Sequence, residues 1–442
     1  RDPDTGGQTL YVLELVKALA ASSQVQNVQL VTRQIFDRRI SSDYSEASEN
    51  IIPGAEIIRI PFGPKRYIRK ELLWPYLDDF AERLIYKLEH QSQLPDWIHA
   101  HYADAGYVGS IVSKRLGIPL IFSGHSLGKE KKRRLLQSGM DHEQIENTYS
   151  ISRRIDAEEL ALSSADLVIT STAQESNSQY SRYANFISKN AKVIPPGVDL
   201  SRFNSNEKQS EDSNIRESLN PFLRQPDLPP LLAISRAVRR KNIPALVEAF
   251  GRSSLLRNNH NLVLVLGNRD DIRQLDKQQK EIFQQIFELI DRYELYGKIA
   301  IPKSHRRSQI PAIYRWASKR NGLFVNPALT EPFGLTLLEA SACGLPIVAT
   351  DDGGPSEILS KCENGLLVDV TDLNSLKVAL EQGFSNEFLW QKWKQNGINA
   401  VESSFSWNAH VHKYLHCIED KLNTLKHRSL AEVIHLSDIR AS

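Results

Sequence analysis

Two carboxylates, Glu331 and Glu339, stand eight positions apart in the segment TEPFGLTLLEA, residues 330–340. Pro-Phe-Gly separates the first acid from an apolar run that predicts a helix, and Gly334 frees the backbone at its start. Glu339 then lies about two turns into that helix at ~1.5 Å per residue. Two acids so displaced are poorly placed to flank one bond as glycosidase carboxylates do. A clamp on hydroxyl groups, a metal site and two solvated charges remain open.

The same segment offers backbone donors for an anion. Proline cannot donate a backbone hydrogen bond, and the first N–H groups of a helix, from Gly334 onward, have no acceptor within it. A helix start of this kind favours phosphate.

Two cations, Arg236 and Lys241, lie five positions apart in AISRAVRRKN, residues 233–242, directly after a predicted strand. Cations at such a place can clamp a diphosphate and stabilise charge on a leaving group. An ordinary exposed basic loop is the competing interpretation.

His125 lies at the C-terminal end of another predicted strand, in the segment FSGHSLGKEKKRR, residues 122–134. Its position at a strand end favours function over a buried structural role. The basic residues after it include Lys131, and SRRIDAEE, residues 152–159, adds Arg153 and Arg154. Together they can bind a phosphate, with arginine making bidentate contacts and lysine acting as a point charge. A solvated helix face is the alternative for the same charges.

The elements that must position these residues follow an α/β pattern. Short β-branched runs alternate with longer helical patterns, which predicts parallel sheets buried on both faces. The predicted strands cover 28–32, 55–60, 97–102, 119–124, 167–172, 192–197, 231–235, 262–267, 298–302, 323–328, 346–350 and 366–370. They form two series of similar size, separated by a polar, proline-rich segment at 201–230 for which we expect one short helix.

We therefore predict an N-terminal domain over 1–205, a C-terminal domain over 206–395 and a helical tail over 396–442. The strand that should precede the Gly6-Gly7 turn is absent, so we expect the first strand of the N-terminal domain to be missing. Ligands bind at the carboxyl ends of strands in such sheets, and two sheets facing each other would form a cleft between the domains.

Composition narrows the classes of partner. Among 442 residues, 41% are apolar, the net charge is +2 and the pI is about 8.3, which argues against nucleic acid or membrane as the main partner. The three cysteines form no Cys-x-x-Cys pair. We expect neither a zinc site nor a disulfide framework, and a reducing, cytoplasmic setting.

These motifs resemble the retaining glycosyltransferases of GT-B architecture. DTGGQ (4–8), GHSLG (124–128), SRAVRRKN (235–242) and the two acids around PFG are similar to the group that contains sucrose synthase and sucrose-phosphate synthase. TRQI (32–35), KELLWPYL (70–77) and VITSTAQE (168–175) resemble the branch with a phosphorylated acceptor. The resemblance extends to about residue 385 and implies two Rossmann-like domains facing a cleft.

The resemblance implies a role for each candidate residue. Arg236 and Lys241 would bind the diphosphate of UDP, Glu339 the ribose, and Glu331 the hydroxyls of the donor sugar. Backbone groups of Phe333, Gly334 and Leu335 would assist, and His125 would lie against the donor sugar near its anomeric carbon. The implied acceptor site consists of Gly7, Gln8, Lys70, Lys131, Arg153 and Arg154.

The implied reaction is glucose transfer from UDP-glucose to fructose 6-phosphate with retention, without a metal or other cofactor. A separate sucrose-phosphate phosphatase would act on the product. Sucrose synthase activity with free fructose, a mannosylfructose-phosphate synthase with another nucleotide, and a non-catalytic sugar-nucleotide binding protein are the alternatives. The basic residues argue against the first, and the intact set of candidate residues argues against the last.

Overall fold

The computed structural model describes residues 7–206 and 215–438, with side chains as far as residue 424. It contains two compact units. The first consists of residues up to Pro196 and from His410 onward, and the second of Gly197–Ala409. The sequence-based boundaries after residues 205 and 395 do not coincide with these divisions. Of the DTGGQ motif, residues 4–6 lie outside the described part of the chain.

The first unit holds two sheets. One has strand order β1-β3-β2, and the other is parallel with order β4-β5-β6-β7. The strands are β1 (Val28–Arg33), β2 (Ser48–Ile52), β3 (Ala55–Ile60), β4 (Ile98–His101), β5 (Leu120–Ser123), β6 (Leu167–Thr170) and β7 (Ala191–Val193). The helices are α1 (Gly7–Ala20), α2 (Leu77–Glu89), α3 (Ala103–Leu116), α4 (Gly128–Gln137), α5 (His142–Tyr149) and α6 (Ile151–Ser164).

Strand β2 is absent from the sequence prediction and runs antiparallel to β3. Its sequence, SENII, is too polar to resemble the buried strands, and all of its residues are at least partly exposed. The two residues between β2 and β3, Pro53 and Gly54, form the tight turn of a hairpin. The Pro-Gly pair directly before the predicted strand at 55–60 was the signal that could have identified the hairpin.

The second unit is built on one six-stranded parallel sheet with order β10-β9-β8-β11-β12-β13. The strands are β8 (Pro230–Ile234), β9 (Asn261–Val265), β10 (Ile299–Ala300), β11 (Leu323–Asn326), β12 (Ile347–Thr350) and β13 (Gly365–Val368). Its helices are α7 (Ile243–Arg252), α8 (Ser254–Asn259), α9 (Lys277–Arg292), α10 (Ile310–Lys319), α11 (Leu335–Ala342), α12 (Gly354–Cys362), α13 (Leu373–Gly383) and α14 (Glu387–Ser404).

Strand β9 shows why these strands read as continuous apolar runs. Leu262 and Leu264 enter a core on one face of the sheet, whereas Val263 and Val265 enter a second core on the other face. Because successive side chains of a strand point to opposite faces, a sheet covered by helices on both faces needs apolar residues at every position.

The last helices divide between the units. Trp390 of α14 is buried and donates its Nε1–H to the carbonyl of Gly322 at 3.0 Å, which fixes α14 to the second unit. The expected start of the tail at residue 396 therefore falls inside this helix. The final helix, α15 (Trp407–Asp438), belongs from His410 onward to the first unit, where Tyr414 and Ile418 are buried. Residues 207–214 of the expected linker lie outside the described residues, and residues 215–219 are helical.

Candidate functional site

Lys241 and Glu331 form an ion pair in the second unit, with Lys241 Nζ donating to Glu331 Oε2. Asn326, which ends β11, donates its Nδ2–H to the same oxygen at 3.2 Å. The side chains of Lys241 and Glu331 are only 16% and 13% exposed, so water screens their attraction less than on an open surface. Two residues predicted for the donor site, 90 positions apart in the chain, are thus brought together.

A recess of about 200 Å³, open to solvent, lies at the carboxyl ends of β8 and β11. Its lining residues are Ala233, Ile234, Ser235, Lys241, Ile243, Val325, Asn326 and Pro327. Arg236 follows β8 closely, but its side chain is exposed and does not line this recess. Of the two predicted cations, only Lys241 is therefore part of the recess.

The backbone around Glu331 is held by β12 and α12. Its N–H donates to the carbonyl of Asp352 at 3.1 Å, and its own carbonyl accepts from the N–H of Gly354 at 2.9 Å. The chain then turns through Gly334, whose φ of 102° is readily adopted only by glycine, and α11 begins at Leu335. Phe333 packs partly against the core. The predicted helix start is present and can donate N–H groups to an anion.

Glu339 lies on α11 in a different environment. Tyr314 donates its hydroxyl to Glu339 Oε2 at 3.5 Å. Burial raises the pKa of the Glu339 carboxyl to about 7, although the positive charges of Arg202 and Arg307 act to lower it. Within the described part of the chain no contact joins Glu339 to the Lys241–Glu331 ion pair. The two acids therefore have separate partners and lie in different environments.

His125 lies in the first unit, in the loop between β5 and α4. Its φ of 56° is in the left-handed region, an uncommon conformation for a residue with a side chain and one that is often found at functional sites. Its Nε2 is 2.9 Å from Nδ1 of His101, so one of the two rings donates to the other. Burial lowers the pKa of His125 to about 4. Near neutral pH the ring is therefore uncharged and acts as a hydrogen-bonding group.

His101 in turn packs against a second histidine of β4, His99. Ser123 donates its hydroxyl to the carbonyl of Ile169 at 3.0 Å, so its oxygen accepts from Nε2–H of His99, also at 3.0 Å. Nδ1 of His99 is then an acceptor, and Tyr414 of α15 donates to it at 3.0 Å. The rings of His99 and His101 lie with their centres 3.9 Å apart. The last helix therefore reaches the environment of His125.

The predicted acceptor residues Gly7 and Gln8 begin helix α1. One turn further along that helix, Tyr11 is buried and its ring packs edge-on against His125, with ring centres 5.1 Å apart. Its hydroxyl is 3.5 Å from Nε2 of His410, the ring that donates its Nδ1–H to the carbonyl of Pro195. The start of α1 thus belongs to the same region of the first unit as His125.

Three predicted cations, Lys70, Lys131 and Arg154, line one recess of about 290 Å³ in the first unit. The other lining residues are Glu71, Trp74, Tyr102, Asp104 and Tyr149. Lys70 Nζ and Arg154 Cζ lie 4.9 and 4.5 Å from the ring centre of Tyr102. Lys131 Nζ lies 3.6 Å from the ring centre of Tyr149. Aromatic rings hold cations through their negative faces and leave the N–H groups able to donate.

The positive charges of Lys70, Lys131 and Arg154 lie close enough in this recess to repel one another. Burial, followed by repulsion from Arg154 and Lys70, lowers the pKa of the Lys131 ammonium to about 8. Cations that disfavour each other in the free protein are stabilised when an anion binds between them. The recess holds three cations beside two acids, Glu71 and Asp104, and burial raises the pKa of the Asp104 carboxyl.

The two neighbouring arginines of α6 differ sharply. Arg154 is 4% exposed and donates its Nε–H to Glu158 Oε1 at 3.0 Å and an Nη2–H to the carbonyl of Ser126. Arg153 is exposed and does not line the recess. Successive residues of a helix point about 100° apart, so Arg153 faces away from the recess that Arg154 lines.

Several residues of these sites were absent from the sequence prediction. His101 is the last residue of β4, and Tyr102 follows it directly. The signal available in the sequence was the position of a polar and an aromatic residue at the end of a strand. Asn326 ends β11 and carried the same signal, whereas Glu158 and Tyr314 lie within helices and carried none, because their roles depend on contacts distant in the chain.

Two negative findings concern the described residues only. None of the described helices combines the length and the apolar character needed to cross a bilayer. Within the same residues, no three histidine, cysteine or acidic side chains are grouped in a way that could hold a metal ion.

Two family models match consecutive parts of the chain. Residues 1–204 match the model described as the first GT-B domain of sucrose synthase, and residues 214–400 match glycosyl transferases group 1.

Named relatives show the same relationship. The chain is 40% identical over 476 aligned residues to probable sucrose-phosphate synthase 1 of Oryza sativa subsp. indica and 40% identical over 480 to sucrose-phosphate synthase of Zea mays. Each alignment covers 94% of this chain but 44% and 45% of the relative, so the chain spans less than half the length of these two proteins.

A solved structure agrees with the fold. Sucrose-phosphate synthase from Thermosynechococcus elongatus superposes with a TM-score of 0.69 at 26% identity, covering 97% of this chain and 94% of the solved one. The two parallel-sheet units, the two matched domains and these relatives together show that the chain belongs to the GT-B glycosyltransferase family that includes sucrose-phosphate synthase.

Proposed function

We propose that the chain is a retaining hexosyltransferase that transfers glucose from UDP-glucose to fructose 6-phosphate, giving sucrose 6-phosphate and UDP. The observation that carries this proposal is the recess of the first unit, where Lys70, Lys131 and Arg154 converge. Three cations around one recess fit a phosphorylated acceptor better than a neutral sugar. The sucrose-phosphate synthase names of the relatives support the same acceptor.

The donor is assigned to the second unit. Lys241 and Arg236 bind the diphosphate, Glu331 binds hydroxyls of the sugar, and Glu339 binds the ribose. The N–H groups at Phe333, Gly334 and Leu335 assist at the start of α11.

The proposed chemistry is front-face transfer. Neither acid need be a nucleophile, because the leaving diphosphate accepts the proton of the attacking hydroxyl on the same face of the sugar. Lys241 stabilises the charge that develops on the diphosphate as the glycosidic bond breaks. His125, uncharged near neutral pH, contributes hydrogen bonding and carries no charge.

The remaining features of the proposal concern cofactors and surroundings. No metal or other cofactor is required, since the cations Arg236 and Lys241 can balance the diphosphate. The partners are the two small-molecule substrates, and a separate sucrose-phosphate phosphatase consumes the product. The setting is the cytoplasm, as the free thiols of Cys343, Cys362 and Cys417 favour.

The rival activities differ in their substrates. Sucrose synthase would use free fructose, which has no phosphate for the cations of the recess to bind. A mannosylfructose-phosphate synthase would use another nucleotide sugar with the same acceptor. A non-catalytic binding protein would release no UDP.

The test is UDP release from UDP-glucose by the purified full-length protein, with fructose 6-phosphate and with fructose in parallel. Turnover that requires the phosphorylated acceptor supports the proposal, and equal or faster turnover with fructose overturns it. Competition with GDP- and ADP-sugars tests the donor, and the absence of UDP release with every acceptor would leave only the binding protein.

A further inference from the structure

We infer that Glu158 is the positioning residue of the acceptor recess. This inference rests on the proposed function and adds a residue that would touch no substrate. Glu158 lies on α6, has no exposed surface, and contacts the two helices that carry Arg154 and Lys131 of the recess.

The first contact is to Arg154. Glu158 Oε1 accepts from Arg154 Nε–H at 3.0 Å, and the Arg154 Nη2 donates to the carbonyl of Ser126. These two bonds occupy two of the five N–H groups of the guanidinium. The guanidinium plane is fixed by the two anchored groups, which leaves its other N–H groups for a ligand in the recess that Arg154 lines.

The second contact is to the helix that carries Lys131. Both carboxylate oxygens of Glu158 accept from the N–H of Gly128, the first residue of α4, at 3.1 and 2.8 Å. A carboxylate at a helix N-terminus satisfies a free donor and interacts favourably with the helix dipole. Lys131 lies one turn along this helix, so its position depends on the same carboxylate.

Gly128, the last glycine of GHSLG, lies where α4 packs closely against α6. A Cβ at Gly128 would lie 2.9 Å from Glu158 Oε2 and 3.4 Å from Arg154 Cγ. Because α4 approaches α6 so closely, a side chain at residue 128 would force Glu158 and Ile155 to shift. Tyr183 completes the cluster by donating its hydroxyl to Glu158 Oε2.

Charge and position make opposite predictions for the loss of this carboxylate. If Glu158 acted only through its charge, its removal would strengthen the attraction of Arg154 for a phosphate. If it fixes the positions of Arg154 and Lys131, its removal weakens phosphate binding, because a buried guanidinium that loses its partner is destabilised in its present position.

The experiment compares Glu158→Gln and Glu158→Asp with the matched control Glu159→Gln. Glu159 is the next residue of the same helix, pairs with Lys129 and accepts from the N–H of Asn185, and has no contact with Arg154 among the described residues. The readout is kcat/KM with fructose 6-phosphate divided by kcat/KM with fructose, together with thermal unfolding of each variant.

We expect both Glu158 variants to lower this ratio roughly ten- to a hundredfold, as the loss of one hydrogen bond to a charged group would. The Asp variant keeps the charge but is one methylene too short to reach both partners. The control should retain the wild-type ratio. A purely structural role would lower the unfolding temperature and leave the ratio unchanged, which overturns the inference, as does an increased ratio in Glu158→Gln.

Tyr183→Phe serves if the Glu158 variants do not fold, because it removes the hydroxyl that donates to Glu158 Oε2 and accepts from the N–H of Lys129 in α4. A lowered ratio in Tyr183→Phe supports the inference and a wild-type ratio overturns it. A wild-type protein that does not discriminate between the two acceptors would instead refute the proposed function.

Discussion

Lys241 and Glu331 neutralise each other at the carboxyl edge of the second unit's sheet, and Asn326 binds the same Glu331 oxygen. In the proposed reaction each member of this pair gains a new partner, the diphosphate for Lys241 and a sugar hydroxyl for Glu331. The pair thus holds both side chains in position before the donor binds.

Replacement of Lys241 tests this role directly. Lys241→Ala should lower kcat about a hundredfold, because a preorganised charge contact to the leaving group is worth about 3 kcal/mol in the transition state. The KM for fructose 6-phosphate should change little. The measurement is steady-state UDP release at saturating donor.

Arg239→Ala is the matched control, since Arg239 lies in the same turn but is 71% exposed and pairs with Glu281. It should keep near-normal turnover. Near-normal turnover in Lys241→Ala would refute the assignment of Lys241.

The two adjacent arginines of α6 provide a second test. Arg154→Ala should raise the KM for fructose 6-phosphate by roughly ten- to a hundredfold, the loss expected for a charge-assisted contact. Because Arg153 is exposed and outside the recess, Arg153→Ala should have a smaller effect. Initial rates at varied acceptor concentration measure both. A larger effect from Arg153 would mean that the exposed arginine binds the phosphate.

The lowered pKa of Lys131 predicts a pH dependence of acceptor binding. Its ammonium loses its proton as the pH rises through about 8, so the KM for fructose 6-phosphate should increase through that range. The phosphate itself is a dianion above about pH 7 and does not contribute to this change. Lys131→Arg, which stays charged, should remove the increase. A rise in KM that persists unchanged in Lys131→Arg would exclude Lys131 as its source.

Much of this architecture was predictable from sequence, because burial on both faces of a parallel sheet leaves a direct mark. All twelve predicted strands have counterparts in the structure. Strand β2 was missed because it is polar and partly exposed, so neither alternation nor a continuous apolar run identifies it.

Some residues of the candidate sites were likewise predictable from the sequence, and others were not. Lys241, Glu331 and His125 follow strands, and strand ends are where ligands of parallel sheets bind. The distinction between Arg153 and Arg154, and the role inferred for Glu158, depend on which face of α6 packs inward. That face is set by contacts with Ser126 and Gly128, which lie on another segment of the chain.

Glu339 predicts a pH dependence of donor binding with the opposite sign. Burial raises its pKa to about 7, and only the carboxylate can accept from both ribose hydroxyls. The KM for UDP-glucose should therefore rise as the pH falls below about 7, and Glu339→Gln should bind more weakly but without that dependence. The KM for UDP-glucose, measured for both proteins from about pH 6 to 8, tests this, and a pH dependence in Glu339→Gln equal to that of the wild type would contradict it.

The His101–His125 hydrogen bond yields the last prediction. His101→Leu removes the group that holds Nε2 of His125, and the loss of a neutral hydrogen bond should lower kcat about fivefold. His101→Asn places an amide near the position of Nδ1 and should restore most of the activity. Since His125 is buried and uncharged, the rescue tests orientation and not charge. The tautomer balance of the His125 ring, measured by its nitrogen-15 chemical shifts, should change in the Leu variant but not in the Asn variant. The exposed His90, replaced by leucine, is the control and should match wild type. Equal activity of the Leu variant and wild type, or an Asn variant no better than Leu, would show that His101 does not position His125.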